Sequence, residues 1–351
     1  MKTDVIFIDQ TLGYGLEHQG LGTSEFIYIQ RKIAALAQVM FDVSLQSLVA
    51  VLDCGAVAVK DIRAGIAPDA RQVALAHQSG CSKVKVNLNA MDFCNLAAPV
   101  AEALRQARAR GLAVSLQLTG NCQYSSARLL QLCWLISKYE ISSVAFVDEY
   151  SDHDPLFTYG ALLNLQQQLP CPIEYCGKNG SGLATANALG AIKSGVACVA
   201  VAVGGVAGYP AFEEVLMGAR FLLKLPLAVP ANIATCCEEI LSYIGQCVQP
   251  TKPIIGSDIF AHESGIHVDG VNKKSDLYEF FTPETVGLSR KIVIGKHSGK
   301  AAIELKLKEL NIFLQPTAVL TVLEKVRSLA IRQKAPVSDL QLQKLVHEVA
   351  S

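Results

Sequence analysis

The chain is predicted to be an α/β protein, a (β/α)8 barrel of the TIM type followed by a small mixed subdomain and C-terminal helices. Three observations predict it. As far as residue 225, short Val- and Ile-rich runs alternate with longer segments of helical period, and eight such units can be traced. At 351 residues the chain has room for a barrel with an appendage. Its residues are 51% hydrophobic against 18% charged, with a mean hydropathy of +0.31, enough apolar surface for a large core.

In chain order, strands are expected at Val5–Asp9, Val43–Val49, Ala56–Ile62, Lys83–Asn89, Leu112–Thr119, Ser142–Asp148, Ile173–Gly177 and Cys198–Gly204. Helices are expected at Leu96–Arg110, Ser126–Tyr139, Leu156–Leu169, Leu183–Ser194 and Ala211–Leu223, each bounded by recognisable punctuation. One step resists the pattern. Residues 50–55 are too few for the crossover of about a dozen residues that adjacent parallel strands need. Either a strand is misplaced there or the second barrel helix is missing. After Pro226 the pattern changes. Pro230, Pro250 and Pro253 space the chain ahead of a Gly- and His-rich stretch at 256–299. Ile303, Leu305, Leu307 and Leu310, then Val319, Leu320, Val322 and Leu323, predict closing amphipathic helices. The expected organisation is therefore a barrel over 1–250, a linker and small subdomain over 251–300, and a helical segment over 301–351.

Lys plus Arg (31) equals Asp plus Glu (31), and no basic run interleaved with aromatics is present, so a nucleic-acid partner is not expected. No apolar stretch reaches the roughly 18 residues of a membrane helix, and residues 1–9 lack the features of a secretion signal. A cytoplasmic protein without membrane contact is expected. The eleven cysteines, none in a C-x-x-C pair, then read as reduced thiols rather than disulfides or a zinc site.

Specific motifs lie in the second half. FAHESGIHVDG from Phe260, TPETVGLSRKIVIGKHSGKAA, GLATANALGAIKSG (182–195) and AFEEVLMG (211–218) resemble, in the same order, blocks of the homocitrate synthases and 2-isopropylmalate synthases. IDQTLGYG near the N-terminus stands where that family has I-D-T-T-L-R-D-G. The resemblance implies a TIM barrel and a Claisen-type condensation. A divalent metal holds a 2-oxo acid by its keto and carboxylate oxygens while the methyl carbon of acetyl-CoA attacks. The metal acts as a Lewis acid, so its ligands are indispensable.

Carried over position by position, the resemblance places the family's Arg at Gly13 and its metal-binding acid at Tyr14. The H-x-H-N-D motif falls on Cys176-Gly177-Lys178-Asn179-Gly180, and both imidazoles are absent. The second-strand Glu has no counterpart in VSLQSLV, and the sixth-strand Thr is replaced by Glu149 beside a matching Asp148. The Asn-Gly-x-Gly-Glu-Arg loop becomes GGVAGY, residues 204–209. No metal ligands and no cofactor are expected. The resemblance places Asp9, Gly13, Tyr14, Asp148, Glu149, Cys176 and Asn179 around the pocket. Lys178 is the candidate for carbonyl chemistry as a Schiff base, or else a solvated or ion-paired side chain.

His267 matches the residue that the family contributes across a domain-swapped dimer to activate acetyl-CoA, with Glu263 and Asp269 placed to orient it. Its alternative role is structural, and His297 with Ser298 is expected to satisfy local backbone groups. His18, His77, His153 and His347 have no partner evident in the sequence. The leading expectation is a divergent, catalytically silent homologue, a homodimer or a heterodimer with an active synthase, donating His267 in trans. The alternatives are a metal-free acyltransferase or aldolase using Lys178, Cys176, Glu149 and Tyr14, or ordinary homocitrate synthase activity. In each case any substrate is a small molecule.

Overall fold

A computed structural model describes residues 5–53, 57–89, 96–119, 126–149, 152–263 and 279–350. They fall into two compact units, Met1–Val248 and Gln249–Ser351. In the first, eight parallel strands close into a barrel in chain order: β1 (Ile6–Asp9), β2 (Val39–Ser44), β3 (Ile62–Ile66), β4 (Lys83–Asn89), β5 (Ala113–Thr119), β6 (Ser143–Asp148), β7 (Ile173–Gly177) and β8 (Cys198–Val201). The ring is sealed by β1 on β8, with Ile8 opposite Ala200. Closure leaves no unpaired edge.

The helices are α1 (Thr11–Gln19), α2 (Thr23–Ala34), α3 (Leu45–Leu52), α4 (Ala70–Gln78), α5 (Ala98–Ala109), α6 (Ser126–Tyr139), α7 (Pro155–Gln168), α8 (Ala184–Ser194), α9 (Phe212–Phe221) and α10 (Ile233–Tyr243). Strand and helix positions match the expectation from β4 onward to within a few residues. The β2–β3 region does not. The strand expected at Val43–Val49 ends at Ser44, and the one expected at Ala56–Ile62 begins at Ile62. Ser44 is the reason: its Oγ accepts from the Ser47 N–H at 3.3 Å, capping α3 and turning an apolar run into a helix. The second helix is therefore present, and residues 45–61 supply the crossover that residues 50–55 could not.

Strand alternation divides the side chains between two environments. Ile8, Met40, Cys176, Cys198 and Ala200 form an apolar plug inside the barrel. Facing the other way, Phe7 meets Phe212 of α9 edge to face at 5.1 Å, both fully buried. Each such side chain contributes about 1.5–3 kcal/mol on burial.

The second unit contains a two-stranded parallel sheet, β9 (Ala261–His262) with β10 (Lys291–Ile292), and helices α11 (Lys300–Glu309), α12 (Pro316–Gln333) and α13 (Asp339–Ala350). Ile303, Leu307, Val319, Val322 and Leu323 are buried in its core, as the spacing predicts, whereas Leu320 is exposed. Ser298 is fully buried and accepts from the Gly295 N–H at 2.9 Å, while Arg327 binds the Ser298 carbonyl at 2.7 Å. Glu263 accepts from the backbone N–H of His297 at 2.8 Å. His267 and Asp269 lie outside the described residues.

Candidate active site

A cavity of about 640 Å³ opens at the C-terminal ends of the barrel strands, the usual seat of chemistry in this architecture. Its walls alternate with the pleat. In β4, KVKVNLN, every second residue is polar, and Lys85 and Asn87 reach the cavity while Val84, Val86 and Leu88 are buried. Gln10, Asp42 and Ser44 enter from the first two strands, and Lys178 and Tyr209 from beyond the last two.

Asp42 sits at the centre of a buried ionic network. Its Oδ1 accepts from Arg63 Nε at 2.7 Å. Its Oδ2 accepts from Arg63 Nη2 at 3.0 Å, Lys85 Nζ at 2.8 Å and Gln10 Nε2 at 3.0 Å. Arg63 Nη1 also donates to both oxygens of Glu174, at 2.8 and 2.7 Å, and Ser115 and Ser143 complete that carboxylate at 3.0 and 2.5 Å. Burial alone would push the Asp42 carboxyl up, but Arg63 and Lys85 overcome it and hold the group well below the ordinary carboxylate range. Burial likewise works against the Arg63 charge and is outweighed by Asp42 and Glu174. The four groups carry two charges of each sign, the arrangement a low-dielectric interior demands.

Of the residues predicted for the site, Gly13, Tyr14 and Lys178 line the cavity. A Cβ at Gly13 would lie 2.7 Å from the backbone oxygen of Asp42, so the arginine that the family carries at this position has no room here. Tyr14 stacks on His18 at 4.6 Å, which gives that histidine a partner the sequence did not reveal. The Lys178 ammonium donates to the Ala207 carbonyl at 3.0 Å and lies 3.3 Å from the centre of the Tyr209 ring, a cation–π contact. Burial draws its pKa down.

The other predicted residues do not line this cavity. Asp9 is fully buried on the helix side of β1, its Oδ2 accepting from the Leu12 N–H at 2.9 Å. Burial, opposed by hydrogen bonds from Thr11 and Leu12, pushes its carboxyl up to about 6. Asp148 also faces away from the barrel axis, 3.5 Å from Asn187 Nδ2 and 3.5 Å from His153 Nδ1. Glu149 is exposed. Cys176 is packed in the apolar plug, where burial pushes its thiol up. Asn179 accepts from the Ala184 N–H at 3.1 Å and holds the start of α8.

Among the charged and amide residues of the cavity wall, Glu17, Asp42, Lys85 and Asn87 were not singled out in the sequence. The polar alternation of KVKVNLN could have revealed the β4 pair, and placing β2 correctly would have revealed Asp42 as the second-strand acid.

The chemistry of these donors does not suit a divalent metal. At the positions the resemblance assigns to ligands stand a phenol, a buried thiol held protonated and an ammonium, and Asp42 already accepts four hydrogen bonds. Among the described residues one other group could gather around an ion, Asp148, Asp152 and His153, with ligand atoms within 4.8 Å of one another. The two ring nitrogens of His153 each lie 3.5 Å from one of those carboxylates, an ion-pair spacing, on the side of β6 away from the cavity.

Comparison with known proteins agrees with this architecture. The sequence model of the HMGL-like family matches residues 30–237, more than half of the chain. The chain belongs to the HMGL-like family. A second model, the homocitrate synthase post-HMGL domain-like region, matches residues 254–334. Among curated HMGL-like relatives, 2-isopropylmalate synthase 2 of Caldanaerobacter subterraneus subsp. tengcongensis is 36% identical over 255 residues, 71% of this chain and 66% of that protein. Homocitrate synthase 1 of Nostoc sp. is 36% identical over 224 residues, 63% of this chain and 59% of that one. The chain thus spans less than two thirds of the length of these relatives.

Two solved structures share the HMGL-like fold. An HMG-CoA lyase from Acenitobacter baumannii superposes with a TM-score of 0.56 at 16% identity, over 72% of this chain and 95% of that one. The HMG-CoA lyase from Brucella melitensis gives 0.52 at 14% identity, over 69% and 98%. No helix among the described residues is long and apolar enough to cross a membrane.

Proposed function

We propose that this homocitrate synthase-like chain does not catalyse the metal-dependent condensation of acetyl-CoA with a 2-oxo acid, and acts by associating with an active synthase subunit. The observation that carries the first part is Lys178: an ammonium stands at the position of a metal-ligating imidazole, inside the cavity and beside a protonated thiol. The second part is supported by the contrast with the C-terminal region, which retains the family's sequence over 254–334 and includes His267. The test has two arms. Purified protein should hold well under one divalent metal per chain and release no CoA from acetyl-CoA over a panel of 2-oxo acids. Stoichiometric metal lost on changing Tyr14, Cys176 or Lys178 would overturn this. Co-expression with an active synthase should give mixed dimers whose turnover falls roughly 10²–10⁴-fold on His267→Ala, the loss typical of a general acid or base. Absence of mixed dimers would overturn the partner role.

One observation favours a second reading. Burial lowers the pKa of Lys178, which raises the share of neutral amine able to add to a carbonyl, so metal-free imine chemistry at the same cavity is its competitor. Borohydride treatment in the presence of pyruvate, followed by mass measurement of the Lys178 peptide, separates the two.

A further inference from the structure

We infer that the barrel mouth is a carboxylate site in which the ammonium groups of Lys85 and Lys178 do the holding, so that it reads the charge of a small acid and ignores whether a 2-oxo group is present. The inference rests on the metal-free reading above and deepens it.

The argument begins with what a metal would have selected. A chelating divalent cation engages two oxygens at once, keto and carboxylate, and so rewards a 2-oxo acid over the same acid without the keto group. An ammonium is a compact point charge on a flexible stem with three donors, and it rewards negative charge with little demand on geometry. Replacing the first by the second therefore changes what the site can discriminate.

The cavity carries the second kind of chemistry. Lys85 enters from β4 with its side chain 15% exposed, and one of its donors is spent on Asp42 at 2.8 Å. That contact leaves two for a ligand while fixing the stem. Lys178 enters after β7, held against Tyr209 and the Ala207 carbonyl. The two cations thus reach one cavity from separate strands. Neutral groups, Asn87, Ser44 and the Tyr14 hydroxyl, complete the polar wall.

The acidic groups nearby do not oppose an anion. Asp42 and Glu174 are balanced by Arg63 and Lys85, so that network is neutral, and the net positive charge at the mouth is that of Lys178 while Lys85 offers its remaining N–H donors. Glu17 lines the cavity and Glu149 acts on Lys178 from nearby, but both are exposed, where solvent screens them. The volume, about 640 Å³, is that of an ordinary small-molecule pocket.

The test is a titration of the intact protein with a matched pair of ligands, 2-oxoglutarate and glutarate, read by calorimetry in excess chelator and, in a parallel arm, with magnesium in place of the chelator. Both should bind with dissociation constants within about threefold of each other, weakening as salt is raised. Lys178→Met and Lys85→Met should each weaken both at least tenfold, whereas Glu17→Gln should not weaken either. Thermal melting checks that the variants are folded. If Lys85→Met is not, the test rests on Lys178→Met, which should weaken both ligands at least tenfold, against Lys85→Arg, which keeps the cation and should leave both within about threefold of the parent.

Failure of both ligands to bind would overturn the carboxylate site and leave the metal-free reading standing. Binding of both that survives the two lysine changes would also overturn it. Binding of 2-oxoglutarate alone, and only when divalent metal is supplied, would overturn the proposed function itself. Binding of 2-oxoglutarate alone without metal, with a borohydride-stable adduct on Lys178, would replace the present inference by imine chemistry.

Discussion

Asp9 and Asp42 lie on neighbouring strands at nearly the same level, since Asp9 pairs with Phe41, and both are buried. One faces the helices and the other the barrel interior, and their carboxyls respond in opposite directions. Asp42 receives four donors, two of its partners being cations, and is held ionised. Asp9 has only neutral donors, from Leu12 and Thr11 and no cation, and its carboxyl is pushed up to about 6. Burial alone does not decide the charge of a carboxyl in this protein; the number and sign of the donors reaching it does.

The comparison breaks most sharply at Arg63. Arg63→Met would leave Asp42 and Glu174 without their shared cation, and the expected loss is about 3–5 kcal/mol of stability or failure to fold. A variant losing less than about 1 kcal/mol in urea unfolding would show that the network is decorative.

Asp9 should show the opposite sign. Its folded pKa, about 6, lies above the unfolded value of 3.8, so the folded state binds the extra proton. The stability it adds is full below about pH 4 and is lost as pH rises through about 6, on the order of 3 kcal/mol in total. Asp9→Asn should therefore gain most over the parent at pH 7.5 and little at pH 4. An equal difference at the two pH values would contradict the assignment. Asp42 runs the other way, with stability present above about pH 4 and lost as acid protonates it.

Gly13 sharpens the comparison at the cavity wall, where Gly13→Ala puts a methyl 2.7 Å from the Asp42 carbonyl oxygen and should cost about 1–3 kcal/mol. Unchanged stability would mean that α1 can shift, and the argument against an arginine there would fall. The smallest effect belongs to Lys178, at the mouth and half-buried: Lys178→Met should alter stability by no more than about 0.5 kcal/mol while changing ligand binding. A loss of several kcal/mol would make it a structural residue.

Much of the barrel was legible because its signal is periodic. From Lys83 to Gly177 the alternation of β-branched runs and helical segments repeats with clear boundaries, and β4 and β7 begin and end where the spacing predicts. The β2–β3 region was misread because VSLQSLVAVL is apolar enough for either state, and the deciding signal was one serine hydroxyl on one backbone N–H. That slip carried a cost at the site, since it hid Asp42. Motif matching located Gly13, Tyr14 and Lys178 at the cavity. It could not tell that Asp9 and Asp148, themselves matched positions, turn toward the helices, because side-chain direction follows strand register rather than motif membership.

Trp134 governs how any of these experiments can be watched. It is the only tryptophan in the chain, sits on the outer face of α6 with 58% of its surface in solvent, and carries the Lys138 ammonium 4.3 Å above its ring. An indole already bathed in water emits in the folded state much as it does in the unfolded one, so intrinsic fluorescence will be nearly blind to loss of the barrel. Unfolding has to be followed by far-ultraviolet dichroism instead. The same emission becomes a clean background against which a partner settling over α6 would announce itself by a shift to shorter wavelength.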